Sequence, residues 1–231
     1  MNYSNEPHGV FFLIDNKSFY ASIESVEFGL NPLKSCLVVL SEEKNSGSGL
    51  ILASSPKAKE LFSLHNVSRK RDLPQNKNLI VVPPRMNLYI KRNLQINNIF
   101  NHYTTKNNCY PYSIDETILD MTNSWSLHRS KPSTVARKIQ KEIQHNLGLY
   151  TTIGIGENPL QAKLALDLFA KHDQKFIANL NYQNFTNKIW PISDITKIWS
   201  IGKATAANLA KLDIHTIYEL AHTNPYFLKK N

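Results

Sequence analysis

Cysteine is scarce in this 231-residue chain: Cys36 and Cys109 are the only two, and they stand in unrelated contexts. A disulfide-stapled secreted scaffold needs more, so a reducing, cytoplasmic compartment is expected. No apolar run approaches the ~20 residues that cross a bilayer, and residues 1–8 are polar and include Glu6, which argues against a signal peptide or an anchor. Internal repeats and low-complexity segments are missing as well. Acids are the minority charge, with 18 Asp+Glu against 27 Lys+Arg and a formal net charge of +9. Such an excess attracts polyanions, nucleic acid first among them, although a merely basic soluble protein carries the same sign. The length permits a substantial core, as one large domain or as two or three small ones.

Against that basic background, the few acids that cluster stand out. Tyr112-Ser113-Ile114-Asp115-Glu116 sets two adjacent carboxylates at the end of a short apolar run, and Asp120 follows after Ile118 and Leu119. The pattern reads as strand, tight acidic turn, strand. Adjacent carboxylates repel and are costly to desolvate, so they occupy either a solvated turn or a place beside a cation. A third carboxylate, Asp15, closes the run Val10-Phe11-Phe12-Leu13-Ile14. Three carboxylates from two strands, with no histidine or cysteine among them, suit Mg²⁺ or Mn²⁺. Two such ions would clamp the attacking and leaving oxygens of an in-line phosphoryl displacement. Just beyond Asp15, Ser18-Phe19-Tyr20-Ala21-Ser22 opens a helix and brings an aromatic pair over the acidic site.

The rest of the chain reads as alternating short strands and helices. Strands are expected at 10–14, 36–40, 50–53, 79–82 and 150–155, with a Ser/Glu/Lys/Gly-rich loop over 41–49. Pro56, Pro132 and Pro159 each suit the first turn of a helix. Helical spacing also runs from 86 to about 103, and the helix after Pro159 is expected to reach residue 170. Strand–helix–helix–strand order around a central acidic hairpin points to an α+β, ferredoxin-like sheet. A fold of that kind hosts many functions and identifies none.

Asp15-Asn16-Lys17-Ser18-Phe19-Tyr20-Ala21-Ser22-Ile23-Glu24 and Tyr112-Ser113-Ile114-Asp115-Glu116 resemble the two signature segments of Y-family translesion DNA polymerases. The wording looks like the branch common on bacterial plasmids and phages, and the resemblance extends over nearly all of residues 9–225. It implies a catalytic palm at 9–18 and 84–176, a small α/β fingers insertion at 19–83, and a helical thumb at 177–231. It implies error-prone, template-directed nucleotidyl transfer past damaged bases, in DNA repair or the SOS response. Asp15, Asp115 and Glu116 would hold two Mg²⁺ ions, or Mn²⁺, with Asn16 offering only its backbone carbonyl. Tyr20 would clash with a ribose 2′-OH and so select deoxynucleotides, with Phe19 packed beneath it. Lys59 and Lys171 would reach the triphosphate. Pro56 falls near a position where other branches often carry a phosphate-contacting tyrosine, a contact that Ser54 or Ser55 would partly replace. His172 stands where the family usually has proline.

Ile198-Trp199-Ser200-Ile201-Gly202-Lys203, followed by Ala204, Ala207, Leu209 and Leu212, resembles a helix-hairpin-helix. Such a module presents backbone N–H groups to a DNA phosphate, and a plain helical pair is the alternative reading. Ser200 stands where glycine is usual, and serine can cap a helix. Beyond Tyr218-Glu219-Leu220-Ala221 the family pattern would complete the thumb and add a DNA-gripping little-finger domain. The chain is therefore expected to be the front of a longer polymerase, with a sliding clamp or recombinase engaged through the missing part. Primer–template DNA and deoxynucleoside triphosphates are the implied partners. A non-catalytic DNA-binding or regulatory remnant of such an enzyme is the alternative.

Overall fold

The computed structural model describes residues 3–41, 49–64 and 68–230. The expected loop over 41–49 falls almost wholly outside them. The architecture is α+β. Its main layer is a five-stranded sheet in the order β5-β6-β1-β7-β8, built from β1 (Phe11–Asn16), β5 (Cys109–Pro111), β6 (Glu116–Asp120), β7 (Thr151–Gly156) and β8 (Ile177–Leu180). The first four strands pair antiparallel with their neighbours, and β8 joins β7 in parallel. The ferredoxin-like sheet therefore runs past residue 176, where the sequence reading ended the palm. A four-residue strand that pairs in parallel has no hairpin partner beside it in the sequence.

Alternation along β1 splits its side chains between two layers. Phe12 and Ile14 point into the main core, where they meet α3 (Met86–Phe100) through Ile96 and Phe100, and α4 (Pro132–Leu147) through Val135, Ile139 and Ile143. Phe11 and Leu13 point the other way, toward Ala162 and Leu166 of α5 (Pro159–Leu168). Pro132 and Pro159 both occupy the first turn of their helices, and Gly148 ends α4 with φ +69°. The position after a helix that needs a left-handed backbone is one that glycine fills without strain.

Helix α5 lies unusually close to the sheet. A Cβ on Gly154 would stand 2.1 Å from the Ala162 carbonyl oxygen, and one on Gly156 2.3 Å from the Ala162 nitrogen. Both glycines are present because the backbones touch there. On its outer side α5 offers Leu164 and Ala165 to a C-terminal helical cluster with Ile189, Ile195 and Ile217. That cluster comprises α6 (Tyr182–Ile189), α7 (Lys203–Ala210) and α8 (Ile217–His222), and α9 (Pro225–Lys230) follows it in sequence.

A second sheet, ordered β3-β2-β4, contains β2 (Leu37–Leu40), β3 (Ile51–Ser54) and β4 (Ile80–Val82). Its Leu37, Val39 and Ala53 pack on Ala21 of α1 (Phe19–Glu27), while Val38 and Ile51 pack on Ala58 of α2 (Pro56–Phe62). This is the expected small α/β insertion. Cys36 and Cys109 are unbonded thiols. Among the described residues, no helix is long and apolar enough to cross a membrane.

Candidate active site

Asp15 lies next to the end of β1 and is the ladder partner of Glu116, the first residue of β6. Side chains directly opposite in an antiparallel pair share a face. Both carboxylates therefore leave the sheet on the side that α5 covers. Asp115 occupies the turn just before β6, where its carboxylate accepts from Ser113 Oγ at 2.7 Å. Asn16 ties the two segments together, since its backbone N–H and its Nδ2 both donate to the Asp115 carbonyl, at 2.9 and 3.1 Å. Residues a hundred positions apart thus meet because β1 and β6 are neighbours at the centre of the sheet.

Asp15 and Asp115 open onto a pocket of about 430 Å³ between the strand ends, α1 and the second sheet. Lys17, Lys59, Lys171 and Tyr20 line the same pocket. Burial raises the Asp15 carboxyl above its ordinary range; the Lys171 charge opposes that rise, and Asp115 and Glu116 add to it. Burial pushes the Lys17 and Lys59 ammonium groups down, with Lys171 adding to the effect in both. The pocket therefore combines a poorly solvated acid, Asp15, with two poorly solvated lysines, Lys17 and Lys59. That suits a charged ligand bringing both cations and anions.

Lys171 comes to the site through a break in α5. Phe169 leaves helical geometry and Ala170–His172 forms a 3₁₀ turn, so the helix stops at Leu168 rather than reaching 170. From that turn the Lys171 Nζ lies 2.7 Å from Asp167 Oδ1 and 3.5 Å from Asp15 Oδ2. Eight residues earlier, Lys163 Nζ lies 2.8 Å from Glu116 Oε1 and 3.3 Å from Asp167 Oδ2, with its side chain only 11% exposed. Burial works against both charges, yet the hydrogen bonds and the surrounding carboxylates outweigh it and raise both pKa values. Sequence reading missed Lys163 and Asp167. The signal was there: Lys163, Asp167 and Lys171 are spaced four apart, which aligns alternating charges on one helical face.

Asp15, Asn16, Asp115 and Glu116, the expected metal set, lie together at the paired ends of β1 and β6. Among the described residues, no three His, Cys, Asp or Glu side chains converge as a group able to hold a metal ion. Two lysines stand against the acids instead, Lys163 on Glu116 and Lys171 on Asp15. The donor chemistry nonetheless fits a hard divalent cation. Every donor is oxygen, and the desolvated Asp15 is held beside like charges that an incoming cation would offset. The buried Asn16 Oδ1, at the same place, has no hydrogen-bond partner among the described residues.

Tyr20 stacks on Tyr89 of α3, with ring centroids 4.3 Å apart and planes 13° from parallel. The ring braced against Tyr20 is therefore Tyr89, while Phe19 sits 5.9 Å away in a tilted contact and is buried in the main core. Tyr89 is held in turn, donating through its hydroxyl to the buried Glu24 at 2.8 Å, and Arg85 Nε donates to the same carboxylate at 3.0 Å. Ser54 and Ser55 do not replace a phosphate-contacting tyrosine. Ser55 Oγ donates to the Ser35 carbonyl at 2.6 Å, accepts from the Leu37 N–H at 3.0 Å and caps α2, while Ser54 Oγ is buried and has no hydrogen-bond partner among the described residues.

The turn at Ser200, Ile201, Gly202 and Lys203 lies beside the acidic hairpin, because Trp199 meets Tyr112 edge-on at 6.4 Å. Gly202, not Ser200, is the N-cap of α7. Ser200 instead takes φ +71°, a left-handed backbone. Glycine at that position would be unstrained, which explains the usual wording of the motif.

The impB/mucB/samB sequence pattern matches residues 14–167, more than half of the chain. The chain belongs to that family. A helix-hairpin-helix pattern of the same family matches residues 182–214. DNA polymerase IV 2 of Bacillus subtilis is 36% identical over 223 residues, covering 96% of this chain and 52% of the relative. DNA polymerase IV of Moorella thermoacetica is 34% identical over 213 residues, covering 90% and 50%. The chain thus spans about half the length of the curated relatives it matches. Among solved structures, DinB from Sulfolobus solfataricus superposes with a TM-score of 0.77 at 23% identity, over 96% of this chain and 62% of that one. At that identity the match concerns the fold, which is that of the Y-family polymerases.

Proposed function

We propose that this chain carries the nucleotidyl-transfer centre of a translesion DNA polymerase, acting in the cytoplasm on primer–template DNA and deoxynucleoside triphosphates. One observation carries the reading. A single pocket brings Asp15 and Asp115 together with three lysines and the half-exposed Tyr20, and Glu116 is the ladder partner of Asp15. Asp15, Asp115 and Glu116, with the Asn16 carbonyl, would hold two Mg²⁺ or Mn²⁺ ions, which supply Lewis-acid stabilisation of phosphoryl oxygens. Lys59 and Lys171 orient the triphosphate and offset the charge that grows on its leaving group. Tyr20 sets the sugar's position and excludes a 2′-OH. The turn from Ser200 to Lys203 holds the DNA backbone near the hairpin through its N–H groups, without reading sequence. The family's role in copying damaged templates under the SOS response follows as part of the same proposal.

Primer extension by the purified chain, on intact and damaged templates, tests the reading. Incorporation should require Mg²⁺ or Mn²⁺ and vanish in Asp15→Ala, Asp115→Ala and Glu116→Ala variants that keep the wild-type circular dichroism. DNA binding without any incorporation at saturating DNA would replace this reading with that of a non-catalytic DNA-binding protein.

A further inference from the structure

We propose that Asp167 is a positioning residue, a receiving carboxylate that allows Lys163 and Lys171 to serve as built-in counter-cations of the acidic site and to yield to a divalent ion. The inference rests on the metal reading above and goes beyond it, because neither Lys163 nor Asp167 belongs to the proposed ligand set. The geometry is a chain of alternating charges: Glu116, Lys163, Asp167, Lys171, Asp15, with successive contacts of 2.8, 3.3, 2.7 and 3.5 Å. Each ammonium bridges two carboxylates, one in the proposed ligand set and one on α5. An incoming cation that claims Glu116 and Asp15 would leave both lysines still paired, on Asp167.

The arrangement answers an electrostatic problem. Carboxylates held together with little solvent destabilise the fold unless a positive charge is near. Surface lysines would do this loosely, but Lys163 is nearly buried and Asp167 half-buried, so these pairs are screened far less by salt. A lysine held only by a metal ligand would be stranded when the metal arrived, because a partly buried unpaired ammonium is costly. Asp167 removes that cost by keeping a second oxygen against each ammonium. Helix α5 makes the placement firm, since its backbone contacts β7 directly at Gly154 and Gly156. The consequence is a pair of opposite effects on metal affinity from two residues, neither of which would touch the metal.

Mn²⁺ titration of the whole chain, followed by electron paramagnetic resonance of the unbound ion without DNA or nucleotide, tests this. Lys163→Met removes the competitor and should tighten Mn²⁺ binding by about 5-fold or more, at the low end of ordinary coupling between sites. Asp167→Asn leaves both lysines dependent on the acidic site and should weaken binding by a similar factor, while Asp167→Glu should restore most of it. A merely structural role would weaken binding in both cases. Weaker or unchanged affinity in Lys163→Met overturns the proposal, as does unchanged affinity in Asp167→Asn. Should Asp167→Asn fail to fold, Lys163→Met alone decides. A wild-type chain that takes up no Mn²⁺ sinks the metal reading and this inference together, whereas Mn²⁺ uptake insensitive to both variants sinks only the inference.

Discussion

Replacing Gly154 with alanine should damage stability and the site together. The added methyl would sit 2.1 Å from the Ala162 carbonyl oxygen, 2.4 Å from the Leu166 nitrogen and 2.8 Å from Leu166 Cα. Carbon in ordinary contact stands ~3.5 Å from its neighbours, so α5 must retreat from β7 by more than ~1 Å. All three obstacles are backbone, and no flexible side chain can swing clear. Overpacking of a core costs ~1–3 kcal/mol, and a backbone clash belongs at or above the top of that range. The entropic gain from losing a glycine recovers only ~0.4–1 kcal/mol. A net loss of ~2–3 kcal/mol in a chain of this size lowers Tm by roughly 4–12 °C, at about 2–4 °C per kcal/mol. Thermal melts by circular dichroism read this directly. Because α5 carries Lys163 and Asp167, Mn²⁺ affinity measured well below Tm should change as well. Gly202→Ala is the control: no atom of the described residues lies within 4 Å of its Cβ and its φ is −83°, so the loss should stay under ~1 kcal/mol. A Gly154→Ala Tm within a degree of wild type would refute the claim that backbone contact fixes α5.

Three further outcomes are expected. Tyr20→Ala should raise ribonucleotide use relative to deoxynucleotide use in single-turnover incorporation, with a smaller loss of deoxynucleotide rate; an unchanged ratio would make Tyr20 a packing residue. Lys59→Ala and Lys171→Ala should each raise the nucleotide KM, by roughly 10-fold for a lost charge-assisted contact of ~1.4 kcal/mol, and leave DNA affinity alone; filter binding that falls in step would reassign them to the DNA backbone. The hydrogen bond of His8 to Glu157, with the Tyr3 carbonyl behind it, raises the His8 pKa above 6.5. Its contribution to stability is therefore complete below the unfolded value near 6.5 and disappears as pH rises through the raised folded value, so the Tm difference between wild type and His8→Ala should shrink from pH 6 toward pH 8.

Local chemistry made much of this architecture readable. Pro56, Pro132 and Pro159 each mark a first helical turn, and each helix begins there. The apolar run that ends in Asp15 forms the central strand, and its partner begins at Glu116. What sequence reading missed was long-range. Strand β8 exists because Ile177–Leu180 finds β7 in parallel, a pairing no nearby residue announces. The α5 helix breaks at Phe169 while its apolar spacing continues, so Lys171 points back to Asp15 from a turn. Lys163 goes unremarked in the sequence, and only the strand beneath it reveals Glu116 as its partner. Ser200 read as a helix cap, yet the backbone demands a left-handed residue there and gives the cap to Gly202.

The stack of Tyr20 on Tyr89 has a wider meaning for how this pocket could change over generations. A wall proposed to measure a sugar is useful only if it does not yield, and this one is anchored at one remove: Tyr89 of α3 is held by the buried Glu24 of α1, and that carboxylate in turn by Arg85 at the start of α3. Ancestry can therefore loosen or sharpen the pocket without touching any residue that faces it. Drift at positions 24, 85 or 89 would alter the stiffness of the wall and, under the proposed function, which nucleotide precursors the lineage admits.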